Sequence, residues 1–207
     1  MSMHRKLCVF LATLTLTCVS FAQTSDVKRE RIRGDIVSLR GDVLTVHRQS
    51  GQSGDTVSIE IKPDVAVTAL KAVKLSDVKV GSYVGTPAIA GPDGKLTATS
   101  VLLFPEAARG TQEGHFAYDF GPNSTMTNAN VDSLVTAASG RELKLSYKGG
   151  SNTVTVPENV PVVTIAPATR ADLTSGKKVI VVVTPDQQGV LEAHVVLIEK
   201  DGVVPAL

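Results

Sequence analysis

Residues 65–102, VAVTALKAVKLSDVKVGSYVGTPAIAGPDGKLTATSVL, align without a gap on residues 160–197, VPVVTIAPATRADLTSGKKVIVVVTPDQQGVLEAHVVL. The offset is 95 positions, and the coinciding residues include Val67 with Val162, Asp77 with Asp172, Gly81 with Gly176, and Gly94 with Gly189. Chance similarity between Val-rich strands would not hold one register over such a distance. The sequence therefore predicts an internal duplication.

Upstream of this stretch the offset becomes 99 positions, which equates Gly41 with Gly140, Leu44 with Leu143 and Ile36 with Val135. We assign the difference of four residues to a longer loop in the first segment, around residues 49–52.

Short strands recur through both segments. Residues 56–62 alternate, with Val57, Ile59 and Ile61 on one face, and Gly41 lies in a hairpin signal. In residues 75–81, Ser76 or Asp77 can cap one helical turn, which ends where Gly81 adopts a positive φ.

These elements predict an all-β protein with two tandem, small, five- to six-stranded barrels, each with one short helical turn. The first barrel is assigned to residues 23–103 and the second to residues 131–207. An insert of residues 104–130 joins them.

The turn sequences also carry a resemblance. Leu75–Val84 (LSDVKVGSYV) and Asp93–Ala98 (DGKLTA) have weaker counterparts in Asp172–Gly176 (DLTSG) and Gly189–Ala193 (GVLEA). Together they resemble the exported bacterial family called domain of unknown function 5666, whose members look like small OB-type barrels. The resemblance covers most of the chain and implies an OB-like barrel fold. It implies no activity, because the family has none established.

The first 22 residues resemble a secretory signal peptide. Arg5 and Lys6 precede an apolar run at residues 7–19, and small residues at Ser20 and Ala22 fit a cleavage site after Ala22. We therefore expect a periplasmic or secreted protein without stable membrane insertion after cleavage. The alternative is a lipoprotein modified at Cys18.

Composition excludes several classes of protein. The chain has 21 Lys and Arg against 20 Asp and Glu, and its two cysteines, Cys8 and Cys18, lie in the predicted signal peptide. This balance excludes a polybasic nucleic-acid tail and an acidic disordered tail, and cleavage would leave no thiol for disulfide chemistry. The basic cluster at residues 28–33 is interpreted as a solvated edge strand, and no nucleic-acid partner is expected.

The insert, FPEAARGTQEGHFAYDFGPNSTMTNAN, differs in composition from an ordinary linker. It holds four of the six aromatic residues that follow Ala22: Phe104, Phe116, Tyr118 and Phe120. Because linkers are poor in aromatics, we predict an ordered segment whose rings plug the groove between the barrels. Replacing Phe116 or Phe120 by Ala would then cost ~3–5 kcal/mol if the ring is buried.

Two sharper alternatives involve the same insert. Glu113, His115 and Asp119 could bind a divalent metal, although a site normally requires three or four ligands in a recognisable spacing. A hydrolase would have to use Ser124, His115 and Asp119, and no hydrolase motif surrounds them. We expect no catalytic residues and no cofactor beyond that possible metal.

The favoured interpretation is a non-catalytic binding or structural module of the cell envelope. It would hold an envelope protein, a glycan or a small ligand in the groove between the barrels. The polar residues expected to line the groove are Arg109, Glu113, His115, Tyr118 and Asp119.

Overall fold

The structure is a computed structural model that describes residues 29–49, 55–137 and 140–205. The predicted signal peptide with its cleavage site, both cysteines and most of the predicted 49–52 loop lie outside these residues. In the described part of the chain, no helix is long and apolar enough to cross a membrane.

Within the described residues the strands are, in chain order, β1 (Glu30–Arg40), β2 (Val43–Arg48), β3 (Thr56–Glu60), β4 (Ala66–Ala72), β5 (Tyr83–Ala90), β6 (Leu96–Ala98), β7 (Val101–Leu103), β8 (Gly114–Ala117), β9 (Ser124–Ala137), β10 (Gly140–Tyr147), β11 (Gly150–Val156), β12 (Val162–Pro167), β13 (Lys178–Pro185) and β14 (Leu191–Ile198). The helical elements among them are the 3-10 turns Leu75–Asp77, Glu106–Ala108 and Arg170–Asp172. The predicted all-β barrel class is confirmed.

Two rings of five strands close on themselves. Barrel A runs β1–β2–β3–β14–β13 and returns to β1, with the β3–β14 contact parallel and the others antiparallel. Barrel B runs β9–β10–β11–β6–β5 and returns to β9, with the β11–β6 contact parallel. Five-stranded closed rings of this kind include the OB barrel.

Each barrel takes strands from both aligned segments. Barrel A joins β1 to β3 of the first segment with β13 and β14 of the second, whereas barrel B contains β5 and β6 with β9 to β11. This pairing differs from the prediction of one barrel in residues 23–103 and another in residues 131–207. Barrel B is continuous in sequence, and barrel A is assembled from the two ends of the chain.

Strands β4 and β12 connect the barrels. They pair antiparallel with each other, while β4 also pairs with β14 and β12 with β7. At the centre of the pair, Leu70 lies opposite Ile165, two positions that the 95-residue offset equates. The two halves are therefore arranged about an approximate twofold axis between these residues.

The buried side chains form three clusters. Ile32, Leu44, Ile59, Val181 and Val196 belong to the core of barrel A, each at most 2% exposed. An equivalent set fills barrel B, with the largest side chains at Leu143 and Leu145. A third, smaller cluster of Leu70, Leu102, Val163 and Ile180 lies between the barrels.

The 3-10 turns close the barrels as the turn sequences predict. The Asp77 carboxylate accepts a hydrogen bond from the Lys74 amide at 2.9 Å, and Asp172 accepts one from Thr169 at 2.8 Å. The first 3-10 turn ends at Asp77, and Gly81, which the sequence predicted at its end, lies four residues further on with a φ of 84°, a value that glycine adopts without steric cost. Each turn thereby delivers one apolar side chain, Val78 or Leu173, into a barrel core.

The structure corrects one detail of the alignment. Val131, not Val135, occupies the position equivalent to Ile36: the Gly176 amide donates to the Ile36 carbonyl at 2.8 Å, and the Gly81 amide donates to Val131 at the same distance. Ile36 is 2% and Val131 1% exposed, whereas Val135 is 55% exposed. The offset of 95 therefore also relates β9 to β1. The offset changes to 99 only after these strands, because the β9–β10 hairpin is longer than the β1–β2 hairpin.

A cleft between the barrels as the candidate functional site

The predicted insert divides into two parts. Residues 124–130 are the first half of β9, and we call residues 104–123 the strap. Within the strap, β8 pairs antiparallel with β9, with His115 opposite Thr127 and Phe116 opposite Met126. The strap is thus anchored to barrel B as part of its sheet.

Ion pairs connect the strap to barrel A. The Arg33 guanidinium donates two hydrogen bonds to the Asp119 carboxylate, at 3.0 and 3.2 Å. Arg31 Nη1 lies 3.6 Å from Asp119 Oδ1, and its guanidinium carbon lies 4.8 Å from the centre of the Tyr118 ring. This combination of paired charges and a cation–π contact fixes the end of the strap on β1.

The other end of the strap is held by barrel B. Arg109 donates to Glu106 within the strap, to Asn130 Oδ1 at 2.6 Å and to the Gly81 carbonyl at 2.9 Å. The Tyr83 hydroxyl donates to the Thr111 carbonyl at 3.1 Å. The strap therefore spans both barrels.

The strap contributes Phe104, Thr111, Gln112 and Tyr118 to the lining of a cleft of about 550 Å³. Its apolar lining comes from both barrels, from the connecting strand β12 and from the strap: Leu102, Phe104, Tyr118, Met126, Ile165, Ile180, Val182, Val195 and Leu197. Its basic lining residues are Arg29, Arg31 and His194, and no carboxylate is among the described residues that line it. The cleft is thus an apolar surface with cationic groups along part of its rim.

Of the residues predicted to line this groove, Tyr118 does so and is 8% exposed. Arg109, Glu113, His115 and Asp119 are not part of the lining. The Glu113 carboxylate accepts a hydrogen bond from the Lys148 amide at 3.0 Å. The His115 ring stacks on Tyr147, with centroids 6.3 Å apart, and its Nδ1 lies 2.9 Å from Thr127 Oγ1.

The residues of the two alternative sites have separate partners. In the described part of the chain, no three His, Cys, Asp or Glu side chains come together as a metal site would require. The Ser124 hydroxyl lies within hydrogen-bonding distance of the Tyr118 and Gly121 carbonyls, while Asp119 pairs with Arg33. The structure thus brings together neither the proposed metal ligands nor the proposed triad.

The aromatic residues of the strap have unequal roles. Phe104 packs against Tyr83, with ring centroids 5.3 Å apart, and lines the cleft with Tyr118. Phe120 is 43% exposed and Phe116 is half-buried. The prediction that all four rings plug the groove is therefore wrong for Phe116 and Phe120, which do not line the cleft, and Phe120 lies at the surface beside Asp119.

Burial and neighbouring charges shift the pKa values of the ionisable groups that hold the strap. Burial alone would raise the pKa of the Asp119 carboxyl, but the hydrogen bonds and charges of Arg33 and Arg31 outweigh it and lower that pKa. Burial raises the pKa of Tyr118 against the opposing charges of Arg31 and Arg33. Burial, with a smaller contribution from Glu113, raises the pKa of Tyr83 to about 12. At neutral pH Asp119 is therefore an anion and both phenols are protonated.

Two arginines of the cleft were misinterpreted from the sequence. Arg29 and Arg31 belong to the cluster expected on a solvated edge strand, yet β1 pairs with β2 on one side and β13 on the other. The signal that could have identified them is their alternation with the apolar Ile32 and Ile36, which places the arginines on the outer face of barrel A.

Comparisons of the chain with models of known protein families, with characterised proteins and with solved structures give no match. The functional argument therefore depends on the cleft itself.

Proposed function

We propose that the protein is an exported, non-catalytic binding module of the cell envelope that holds a small apolar ligand in the cleft under the strap. The observation that carries this proposal is the cleft of about 550 Å³ between two barrels, with a mainly apolar lining. Its size lies in the range of small-molecule sites, roughly 300–1,000 Å³, which commonly occur at domain junctions.

The composition of the lining favours a small apolar ligand over a glycan or a folded partner. A glycan would need mostly hydrogen-bonding groups in the site. Thr68, Thr111, Gln112 and Asn128 do line the cleft, but most of its lining surface is apolar. A folded protein would need a broad surface, whereas this site is a concave cleft of about 550 Å³.

The duplication and the export signal belong to the same proposal. The two aligned segments make equivalent strand pairings, which supports descent from one ancestral repeat. The signal sequence supports export, and the intact mass of the protein recovered from a periplasm should correspond to a chain starting at Gln23. A mass that includes residues 1–22 would contradict this part of the proposal.

Binding of the uncharged dye Nile red tests the proposed ligand site, because its fluorescence rises in apolar surroundings. Val195 lines the cleft and is 38% exposed, so Val195→Glu places a charge in the cleft without disturbing a core. Val190, 43% exposed and outside the cleft, gives the matched control Val190→Glu. We expect Val195→Glu to weaken dye binding about tenfold or more and Val190→Glu to leave it unchanged. Equal affinities in both variants, or no binding to the unmodified protein, would overturn the proposal.

A further inference from the structure

Three arginines at and before the start of the first strand form a row, of which Arg29 and Arg31 line the cleft. Arg29 directly precedes β1, and Arg31 and Arg33 follow at alternate positions, so all three lie on the outer face of barrel A. Ile32 and Ile36, which alternate with them, are each 2% exposed and belong to the barrel core.

The row carries more positive charge than the strap neutralises. Asp119 accepts the two hydrogen bonds from Arg33 and lies 3.6 Å from Arg31. Among the described residues no ion pair involves Arg29, and Arg29 and Arg31 both line the cleft. Asp119 is thus shared between Arg31 and Arg33, and Arg29 has no ion pair within the described residues.

The environment of these cations strengthens their demand for an anion. The Arg31 side chain is 27% exposed and lies over the Tyr118 ring, so it has lost part of its hydration. Hydrogen bonds between guanidinium and carboxylate are short and strong, and they gain strength where water is partly excluded. A cationic ligand would be repelled at the same place.

We infer that the ligand of the cleft is an amphipathic anion, an alkyl chain with a carboxylate head, whose head binds Arg29 and Arg31 while the chain lies on the aliphatic base. This inference rests on the proposed function and specifies its ligand. The juxtaposition that carries it is the pair Arg29 and Arg31, of which only Arg31 has an ion-pair partner among the described residues, next to an apolar surface that includes Ile180, Val182 and Leu197. The ligand is a free monomer of this chemistry and not a membrane surface.

The test compares decanoate with decanol, which have the same chain length and differ in the charged head. Calorimetric titration of the full exported protein, below the concentration at which either compound aggregates, should show decanoate binding about tenfold more tightly. The preference should shrink as salt is raised, because exposed charges are screened.

Variants then locate the head group. Arg29→Gln with Arg31→Gln should abolish the preference for decanoate while keeping the affinity for decanol. Arg40→Gln is the matched control, since Arg40 is an exposed arginine of the same strand and lies outside the cleft. Because Arg31 contacts Tyr118, the single variant Arg29→Gln is measured as well, and it should lose part of the preference in a protein with unchanged thermal stability.

The outcomes separate this inference from the proposed function. Equal binding of decanoate and decanol would overturn the anion inference and leave the apolar site in place. Binding of neither compound, together with no Nile red binding, would overturn both. Sedimentation with anionic phospholipid vesicles, without binding of monomeric decanoate, would overturn the inference in favour of a membrane surface.

Discussion

At the scale of single residues, Tyr118 and Asp119 decide where the strap lies. Tyr118 is buried beneath the guanidinium of Arg31, and the adjacent Asp119 pairs with Arg33. The pair is therefore an aromatic anchor next to a charged anchor, both directed at the same strand of barrel A.

Removing the aromatic anchor should destabilise the protein. Because Tyr118 is 8% exposed, we expect Tyr118→Ala to lower the free energy of unfolding by about 3 kcal/mol through lost packing. Phe120→Ala, at a ring that is 43% exposed, should change it by less than about 0.5 kcal/mol. Urea unfolding of the two variants measures both values. Equal losses would contradict the position of the strap.

The ion pair gives the strap a dependence on acid. The pKa of Asp119 is lowered in the folded state, so its stabilising contribution is present above the unfolded value of about 3.9 and is lost as pH falls through the folded value. Since Asp119 is 42% exposed, this contribution is at most about 1 kcal/mol.

Comparing the unmodified protein with Asp119→Asn in urea at several pH values measures this contribution. The stability difference between them should be constant near neutral pH, begin to shrink at about pH 4 and disappear only below the lowered pKa of folded Asp119. A difference that persists in acid would exclude the Asp119 carboxylate as its source.

The sequence identified Tyr118 but not the role of the arginines. An aromatic residue in a polar insert is a local signal, and it correctly indicated a packed segment. The partners of Asp119 are more than eighty positions away in the chain, so only the folded structure shows that Arg33 holds it. For the same reason, Glu113, His115 and Asp119 were close in sequence yet have different partners.

At the scale of secondary structure, alternation and turn residues predicted the strands well. The hairpin at Gly41 and one short helical turn in each segment form as expected. These turns end at Asp77 and Asp172, however, and Gly81 and Gly176 lie four residues beyond them, both at φ values above 80°. The register of β9 was not predictable in the same way, because matching Gly41 to Gly140 shifts the alignment of β9 on β1 by four residues. Burial distinguishes the two registers.

A pair of isosteric substitutions tests that register. Val131→Thr places a hydroxyl in the core of barrel B and should cost about 1–3 kcal/mol. Val135→Thr, on an exposed position of the same strand, should be close to neutral. Thermal unfolding of both variants provides the comparison, and a larger loss for Val135→Thr would restore the original alignment.

At the scale of the whole molecule, the exchange of strands between the aligned segments creates the cleft. Strands β4 and β12 carry the chain from one barrel to the other, and β7, β13 and β14 complete the apolar surface between them. The sequence could not predict this exchange. The repeat shows that both segments contain equivalent strands, but it does not show whether a strand pairs within its own segment or with the equivalent strand of the other segment. Both arrangements satisfy the same alternation pattern.

Expression of fragments distinguishes the two arrangements. Residues 64–169 contain all of barrel B with β4 and β12, so we expect this fragment to give a cooperatively unfolding monomer. Residues 23–103 contain three strands of one barrel and part of the other, and should not fold alone. Circular dichroism and thermal unfolding measure the difference. A stable monomer of residues 23–103 would show that each segment can close its own barrel.

The central claim is that the cleft under the strap binds a ligand, and Met126 is the most direct reporter of it. From Gln23 onwards Met126 is the only methionine, and it lines the cleft at 9% exposure. In the protein from Gln23 onwards, labelled with carbon-13 at the methionine methyl group, decanoate should shift this single resonance in a saturable titration, and Val195→Glu should abolish the shift. If calorimetry shows that decanoate binds but the Met126 resonance does not shift at any decanoate concentration, the cleft is not the binding site and the central claim is contradicted.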